Sequence, residues 1–373
     1  MVNPVAGLGG RVGLKGTDGA EVVRKALELG ATPEAPMRAV EALRSLAATS
    51  ADRVDVVAPP GKMGADEANE AGLQPTVLNS PPFDKLRTNG DQTTSEHTKG
   101  AARLLLERGV DLLLFAGGDG TARDIYEVVG DTLPVVGIPA GVKIHSGVYA
   151  TSPRAAARLI AAYLSDESLP LREVEVMDID EDAFREGSVS AKLYGYMKVP
   201  YEPSLVQGMK SGSSPGEGAS LEEVAAEVAK RFEPDTVYVL GPGTTTRAIA
   251  RAIGVEKTLL GVDVVRDGKM LGRDVTESQL LKLIEGRKAV VVVTPIGGQG
   301  HIFGRGNQQI SPKVIKQVGK QGIIVVSTPE KLATLRGRPL LVDTGDPDTD
   351  TMLSGFLRVV TAFNTETVCR VAT

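Results

Sequence analysis

The residues best suited to chemistry stand in one run, Phe115-Ala116-Gly117-Gly118-Asp119-Gly120-Thr121. An apolar stretch, Val110 to Leu114, leads into it, and a helix-like stretch from Ala122 to Val129 follows and stops at Gly130. A buried strand that enters a glycine turn and then a helix gathers free backbone N–H groups at one point, with the positive end of the helix dipole behind them. Glycines let anion oxygens reach that main chain with no Cβ in the way. Asp119 is the odd member, a carboxylate where an anion should bind. It makes sense there if it handles a proton or a metal ion while the neighbouring N–H groups hold phosphate. The plain alternative is a tight βα turn with an acidic helix cap.

Other glycine-rich segments repeat the theme. The chain opens Asn3-Pro4-Val5-Ala6-Gly7-Leu8-Gly9-Gly10-Arg11-Val12-Gly13-Leu14-Lys15-Gly16. This loop carries two cations and suits phosphate, but no Gly-Lys-Ser/Thr follows, so it is not a P-loop; a flexible turn is the alternative. Gly241-Pro242-Gly243-Thr244-Thr245-Thr246-Arg247 opens a helix after an apolar run. Its hydroxyls, N–H groups and arginine spell an anion or ribose site, or merely a well-capped helix. Thr294 to His301 and Gly304-Arg305-Gly306-Asn307-Gln308-Gln309 follow another buried run. Their amide side chains are costly there unless something binds them, and strand ends in open α/β sheets are where ligands sit. In Gly137-Ile138-Pro139-Ala140-Gly141-Val142-Lys143-Ile144-His145-Ser146, His145 reads as a hydrogen-bonded structural residue or as a base, and Lys143 meets phosphate or solvent. Phosphate-type turns without a nucleophilic serine or cysteine motif point to a nucleotide phosphotransferase. Such a reaction needs positioning, charge neutralisation and a proton acceptor, for which Asp119 is best placed.

The elements that must hold these turns are α/β in pattern. Short β-branched runs at Val54–Ala58, Asp111–Ala116, Pro134–Ile138, Thr236–Leu240, Ala289–Val293 and Gly322–Val326 alternate with helical stretches, which predicts parallel sheet. Thr93 with Glu96 and Ser220 with Glu223 read as capping boxes, and Ser152-Pro153 as another helix start. Leu221, Val224, Ala225, Val228 and Phe232 share one helix face, a packing stripe. At 373 residues two domains are expected, 1–165 and 166–373, with a mobile glycine/serine-rich loop near 208–218 and an insertion without period at 79–92. A net charge of −5 argues against a general nucleic-acid surface. One cysteine, Cys369, and three scattered histidines, His97, His145 and His301, exclude an internal disulfide and give no metal-ligand spacing. No apolar run approaches the roughly 18 residues that span a bilayer. A cytoplasmic, membrane-free protein is expected, assembled as a homo-oligomer.

Taken together the segments resemble the ATP-NAD kinase family, in its prokaryotic branch that includes acetoin-catabolism-associated proteins. The Asn-Pro-x-Ala-Gly-x-Gly-Gly start, Gly117–Thr121 with Ala122-Arg123-Asp124, Gly137 to Lys143, Gly241–Arg247 and Gly304–Gln309 carry the likeness, which covers nearly the whole chain. The aspartate motif alone is shared with diacylglycerol kinases, sphingosine kinases and phosphofructokinases. The resemblance implies an NAD kinase-like fold: a parallel-sheet first domain, a second α/β domain, and Asp119, the Gly241 turn and Gly297–Gln309 lining one cleft between them. It implies transfer of a terminal phosphoryl group from ATP or polyphosphate to the adenosine-ribose 2′-hydroxyl of NAD, dependent on Mg²⁺ or another divalent cation. Asp119 is then the base at that hydroxyl, and Gly117, Gly118, Gly120 and Thr121 hold phosphate. Asn3, Gly7, Gly9, Gly10, Lys143, Gly241, Gly243, Thr244, Thr245, Thr246, Gly297, Gly298, Gln299, Arg305 and Asn307 are the further expected nucleotide contacts. Four departures stand out, the first being the 79–92 insertion just before the helix start at Thr93. Met1 and Val2 alone precede Asn3 where relatives have a full strand; Tyr194 to Pro200 stands roughly where relatives carry an Asn-Glu pair; and His97 replaces an acidic residue. The alternatives are a kinase of a lipid or small alcohol, and a nucleotide-binding regulator without turnover.

Overall fold

The computed structural model describes residues 1–14, 20–78, 93–141, 144–165, 169–179, 191–207 and 217–373. The 79–92 insertion, most of the 208–218 loop and Lys143 lie outside them. Contacts divide the chain into two compact units, Met1–Gly9 with Gly16–Met209 and Gly10–Lys15 with Lys210–Thr373.

The first unit is built on short strand pairs. β1 (Val57–Ala58) runs parallel to β2 (Thr76–Val77), and β3 (Leu113–Gly117) parallel to β4 (Val135–Pro139) in a register from Leu113↔Val135 to Gly117↔Pro139. β3 and β4 are apolar throughout because helices cover both faces. Ala116, Val136 and Ile138 meet Ala39, Ala42 and Leu46 of helix Ala35–Ser50 and Leu159 and Ile160 of helix Pro153–Leu164. Leu113, Phe115 and Val135 meet Leu105 of helix Ser95–Arg108 and Ala122 and Ile125 of helix Asp119–Val129. Met1 and Val2 do lie along β3: Ala116 N–H donates to Met1 O (3.0 Å) and Asn3 N–H to Ala116 O (3.0 Å). That delivers Asn3 to the carboxyl end of β3. A cavity of about 380 Å³ is lined by Val54–Ala58 and Leu112–Leu114, among other residues. β5 (Leu171–Ile179) and β6 (Ala191–Pro200) form an antiparallel hairpin. Its Val176, Met197 and Val199 share a core with Ile125 and Val129, so contacts group it with the first unit, beyond the expected division at 165.

The second unit is a nine-stranded mixed sheet. Its strands in chain order are β7 (Val237–Leu240), β8 (Asp263–Arg266), β9 (Lys269–Gly272), β10 (Ala289–Val293), β11 (His301–Phe303), β12 (Ile323–Val326), β13 (Leu340–Val342), β14 (Gly355–Ala362) and β15 (Thr365–Ala372). Their spatial order is β11-β13-β15-β14-β12-β10-β7-β8-β9. β7, β10, β12 and β14 run parallel to one another, whereas β7–β8, β8–β9 and β14–β15 are antiparallel. Alternate residues again serve two cores. Val237, Val239, Val291, Val293 and Val325 pack with Leu280, Ile284, Val314 and Ile315 on one face. Tyr238, Leu240, Val292 and Val326 pack with Val224, Val228, Ile249 and Ala250 on the other.

All six expected strands occur, with ends moved by at most three residues. Two helix starts need correction. The capping box before helix Ser95–Arg108 is Thr94 with His97, one residue later than read, because the imidazole Nδ1 accepts Thr94 N–H at 3.1 Å as a glutamate would. Ser220 lies inside helix Glu217–Lys230 and donates to Glu330 Oε1 at 3.0 Å, so it caps nothing. Ser152 does cap, accepting Ala155 N–H at 3.2 Å.

Candidate functional site

In the first unit β3 ends at Gly117 and the next helix starts at Asp119. Ala122, Ile125 and Val129 hold this helix to the core, and Gly130 (φ 52°) ends it. Two glycines permit backbone contacts that a side chain would forbid. A Cβ on Gly117 would come within 2.5 Å of Thr121 Oγ1, and one on Gly118 within 3.1 Å of Gly141 Cα. Asn3 Nδ2 donates to Thr121 Oγ1 at 2.9 Å, while Asn3 Oδ1 accepts Val5 N–H at 3.3 Å. The first turn of the chain is therefore fastened onto the Gly117–Thr121 turn. Gly7 (φ 81°) lies so close to Ala140 O that a Cβ would sit at 2.2 Å. Tyr149 O–H donates to Gly118 O at 2.5 Å, and its ring meets Phe115 edge to face at 5.5 Å. Asn3, Gly7, Gly117, Gly118 and Thr121, separate in sequence, thus belong to one local assembly; Gly9 is buried in the same unit.

Asp119 is buried within it, and its carboxylate is held from the loop after β4. Oδ2 accepts His145 N–H at 2.7 Å and stands 3.1 Å from His145 Nδ1, while Oδ1 accepts Ser146 N–H at 3.0 Å. Ser146 Oγ donates to Met177 O (2.8 Å) and accepts Met177 N–H (3.0 Å), which ties the loop to β5. Arg123 and Asp124, the other charges of the motif, face elsewhere. Arg123 Nη1 reaches Asp178 at 2.7 Å, and burial pushes the Asp124 carboxyl above its ordinary range.

In the second unit the Gly241–Arg247 turn joins β7 to helix Thr244–Ala252. Gly243 takes φ 124°, and Thr246 O–H donates to Gly241 O (2.6 Å) and to Gly243 O (3.0 Å). Thr245 is buried, and its Oγ1 lies 3.3 Å from Lys331 Nζ. The same ammonium donates to Thr294 Oγ1 at 3.2 Å. β7, β10 and β12 are neighbours, so their carboxyl ends bring hydroxyls and one ammonium together, where open α/β sheets take ligands. Lys331 was not singled out from the sequence. Its signal was there in Thr328-Pro329-Glu330-Lys331, a capped helix start directly after a buried strand.

Segment 297–309 is largely engaged with its own unit. Gly298 N–H donates to Thr334 Oγ1 (3.0 Å), and Gly298 O accepts Arg338 Nη2 (2.7 Å). Gln299 is buried. Arg305 Nη2 pairs with Asp343 Oδ2 at 2.7 Å, both side chains being buried. Asn307 Nδ2 donates to Ile302 O (2.9 Å), and its buried Oδ1 has no hydrogen-bond partner among the described residues. Gly10 packs so closely on Gln308 that a Cβ would stand 3.1 Å from that side chain, and Arg11 O accepts Glu277 N–H at 3.0 Å. Gly10 and the 304–309 run, far apart in sequence, are neighbours within this unit. Behind it, burial lowers Lys257 to about 8 while its Nζ donates to Thr258 O (2.8 Å) and Gly261 O (3.0 Å).

Residues 20–168 match the model of the ATP-NAD kinase N-terminal domain, and residues 234–371 that of the ATP-NAD kinase C-terminal domain. No curated protein and no solved structure matches the chain.

Proposed function

The chain belongs to the ATP-NAD kinase family, and from that premise we propose that it is an NAD kinase. It transfers the terminal phosphoryl group of ATP, or of polyphosphate, to the 2′-hydroxyl of the adenosine ribose of NAD and so makes NADP. The observation that carries this reading is a buried carboxylate set into a main-chain anion turn: Asp119 opens a helix directly after Gly117 and Gly118, with Asn3 fastened to Thr121 beside it. Phosphoryl transfer demands little covalent chemistry from the protein. It demands donors for the oxygens of the moving group and a place for the proton of the attacking hydroxyl. The N–H groups of the turn supply the first, and the Asp119 site supplies the second. Thr245 and Lys331 are the second unit's candidate phosphate contacts.

A divalent cation, Mg²⁺ first, is proposed to enter with the nucleotide. Among the described residues no three His, Cys, Asp or Glu side chains cluster as a cage. Magnesium commonly keeps its waters and rides on substrate phosphates, and a cation carried in that way fits this donor set. It would supply charge neutralisation at the phosphates. Among the described residues, no helix is long and apolar enough to cross a membrane.

The test is incubation with ATP or polyphosphate, Mg²⁺ and NAD, with NADP read by an NADP-specific dehydrogenase. Asp119→Asn should lower kcat by about 10²–10⁴-fold and leave nucleotide binding largely intact. Unmodified protein that makes no NADP with either donor would favour another acceptor or a regulator without turnover.

A further inference from the structure

Gln207 is 4% exposed, and neither its Oε1 nor its Nε2 has a hydrogen-bond partner among the described residues. A buried amide has given up its water, and in native proteins a hydrogen bond almost always takes the place of that water. A glutamine with both ends open calls for a group that donates and accepts side by side. Its position in the first unit says where that group would lie. Tyr149 bridges in parallel to Gly137 of β4, and the antiparallel bridge Ala150↔Val206 sets Gln207 opposite Tyr149. Thr151 N–H donates to Leu205 O and Gln207 N–H to Tyr149 O, both at 2.8 Å. Residues that face each other across such a ladder send their side chains to the same side. Gln207 therefore stands on the side of Tyr149, whose hydroxyl reaches Gly118 O. Val206 goes the other way, into the core of Ala116, Ile138 and Ala150. Three residues before Tyr149, Ser146 N–H holds Asp119 Oδ1. The open amide and the buried carboxylate are thus both fastened to the short segment from Ser146 to Tyr149.

Resting on the NAD kinase reading, we propose that Gln207 binds the adenine of the acceptor, its amide pairing with the 6-amino group and a neighbouring ring nitrogen. In NAD the hydroxyl to be phosphorylated stands on the sugar carbon next to the one that bears adenine. The base is therefore the flat donor-and-acceptor edge nearest to the ribose that Asp119 meets. Glutamine suits that edge: its oxygen accepts from the amino group while its nitrogen donates to the ring nitrogen. The contact holds the nucleoside by its base and so sets the 2′-hydroxyl at the carboxylate. Gln207 itself takes no part in bond making, and its role is to position the acceptor and select its base. The sequence gave little sign of it, because Gln207 follows an isolated bridge and not a strand or a glycine turn.

Two dinucleotides and one substitution test it. Gln207→Met keeps the length of the side chain and removes both polar ends. Calorimetry measures the binding of NAD, and of the analogue in which purine without the amino group replaces adenine, to the unmodified protein and the variant. NADP formation and thermal melting are followed alongside. The unmodified protein should prefer NAD by about 5–100-fold, and Gln207→Met should bind the two dinucleotides within about twofold of each other. Its Tm should hold or rise, because an amide without partners gives the fold nothing that a thioether lacks. A variant that keeps the preference for NAD, or that loses affinity for both dinucleotides by the same factor as its Tm falls, makes Gln207 a packing residue and overturns the contact. NADP formation by the unmodified protein in that case leaves the kinase reading standing. If Gln207→Met does not fold, Gln207→Leu replaces it; if neither folds, the unmodified protein decides alone, and equal binding of the two dinucleotides rejects the contact. Unmodified protein that binds no NAD overturns the acceptor reading and the contact together.

Discussion

Asp343→Asn should destabilise the second unit by about 3–5 kcal/mol, the usual cost of breaking one side of a buried ion pair. The Asp343 carboxylate, 7% exposed, stands 2.7 Å from the Arg305 guanidinium, 4% exposed. Asparagine keeps the shape and removes the charge that compensates the guanidinium for its lost hydration. Arginine cannot respond by shedding its proton. Nor can the segment easily swing aside: Gly304 (φ 85°) lies against the Asp343 carbonyl so closely that a Cβ would sit 1.8 Å from the oxygen. Arg305→Met combined with Asp343→Leu removes both charges, and should recover most of the loss, since apolar replacements of buried pairs are often neutral or better. Two units need not unfold in one transition, so the assay is hydrogen exchange by mass spectrometry on peptides covering 301–310 and 340–344 across a urea series. Asp343→Asn within about 0.5 kcal/mol of the unmodified protein, or a double variant as weak as the two single losses added, would refute the reasoning. The same result would also return Arg305 to the list of groups able to leave their partner for a phosphate.

Tyr149→Phe removes the 2.5 Å bond to Gly118 O but leaves that carbonyl its helix donor, Ala122 N–H at 3.0 Å. A loss of about 1 kcal/mol is expected, a fall of roughly 2–4 °C in Tm, and thermal melting with no change would remove Tyr149 as a support of the turn. Lys257 gives a pH dependence. Burial lowers its pKa from 10.5 to about 8, so between those values the unfolded chain holds a proton that the folded one lacks, and stability rises with pH across that window. The burial penalty is fully present below pH 8, and its relief amounts to about 3 kcal/mol. Urea midpoints against pH for the unmodified protein and Lys257→Met should diverge above pH 8; parallel curves would show that the ammonium is not penalised.

The legible parts of this protein are those whose physics is local. The strand, glycine turn and helix around Asp119 occupy adjacent residues, so a buried run, a loss of Cβ atoms and an amphipathic stripe announce them in order. The β8–β9 hairpin was just as legible and went unread. Asp267 and Gly268 both take positive φ (50° and 69°), the conformation an Asp-Gly hairpin turn demands. Its strands interrupt a βα rhythm, and a search for parallel units passes over them. The hairpin Leu171–Pro200 looked like the start of another domain because its alternation is polar. Its inward residues, Val176, Met197 and Val199, find their partners on a helix roughly fifty to seventy positions earlier, which no window on the sequence contains. The His145 contacts to Asp119 were invisible for a related reason. Main-chain N–H groups are the same in every residue but proline, so their aim leaves no mark on the sequence.

The position of β15 has a consequence for how the chain can be made. β11 and β13 reach the rest of the nine-stranded sheet through β15, yet both precede it in the chain. During synthesis they can pair only with each other, and β13 keeps a bare edge until Thr365–Ala372 arrives between β13 and β14. Contacts that wait for distant sequence close slowly, and unpaired strand edges invite the wrong neighbour in the interval. The last strand acts as a zip pulled through the middle of a sheet already laid out on both sides, so half-made chains carry the greatest risk of association. A premature stop anywhere before Thr365 would leave that seam permanently open.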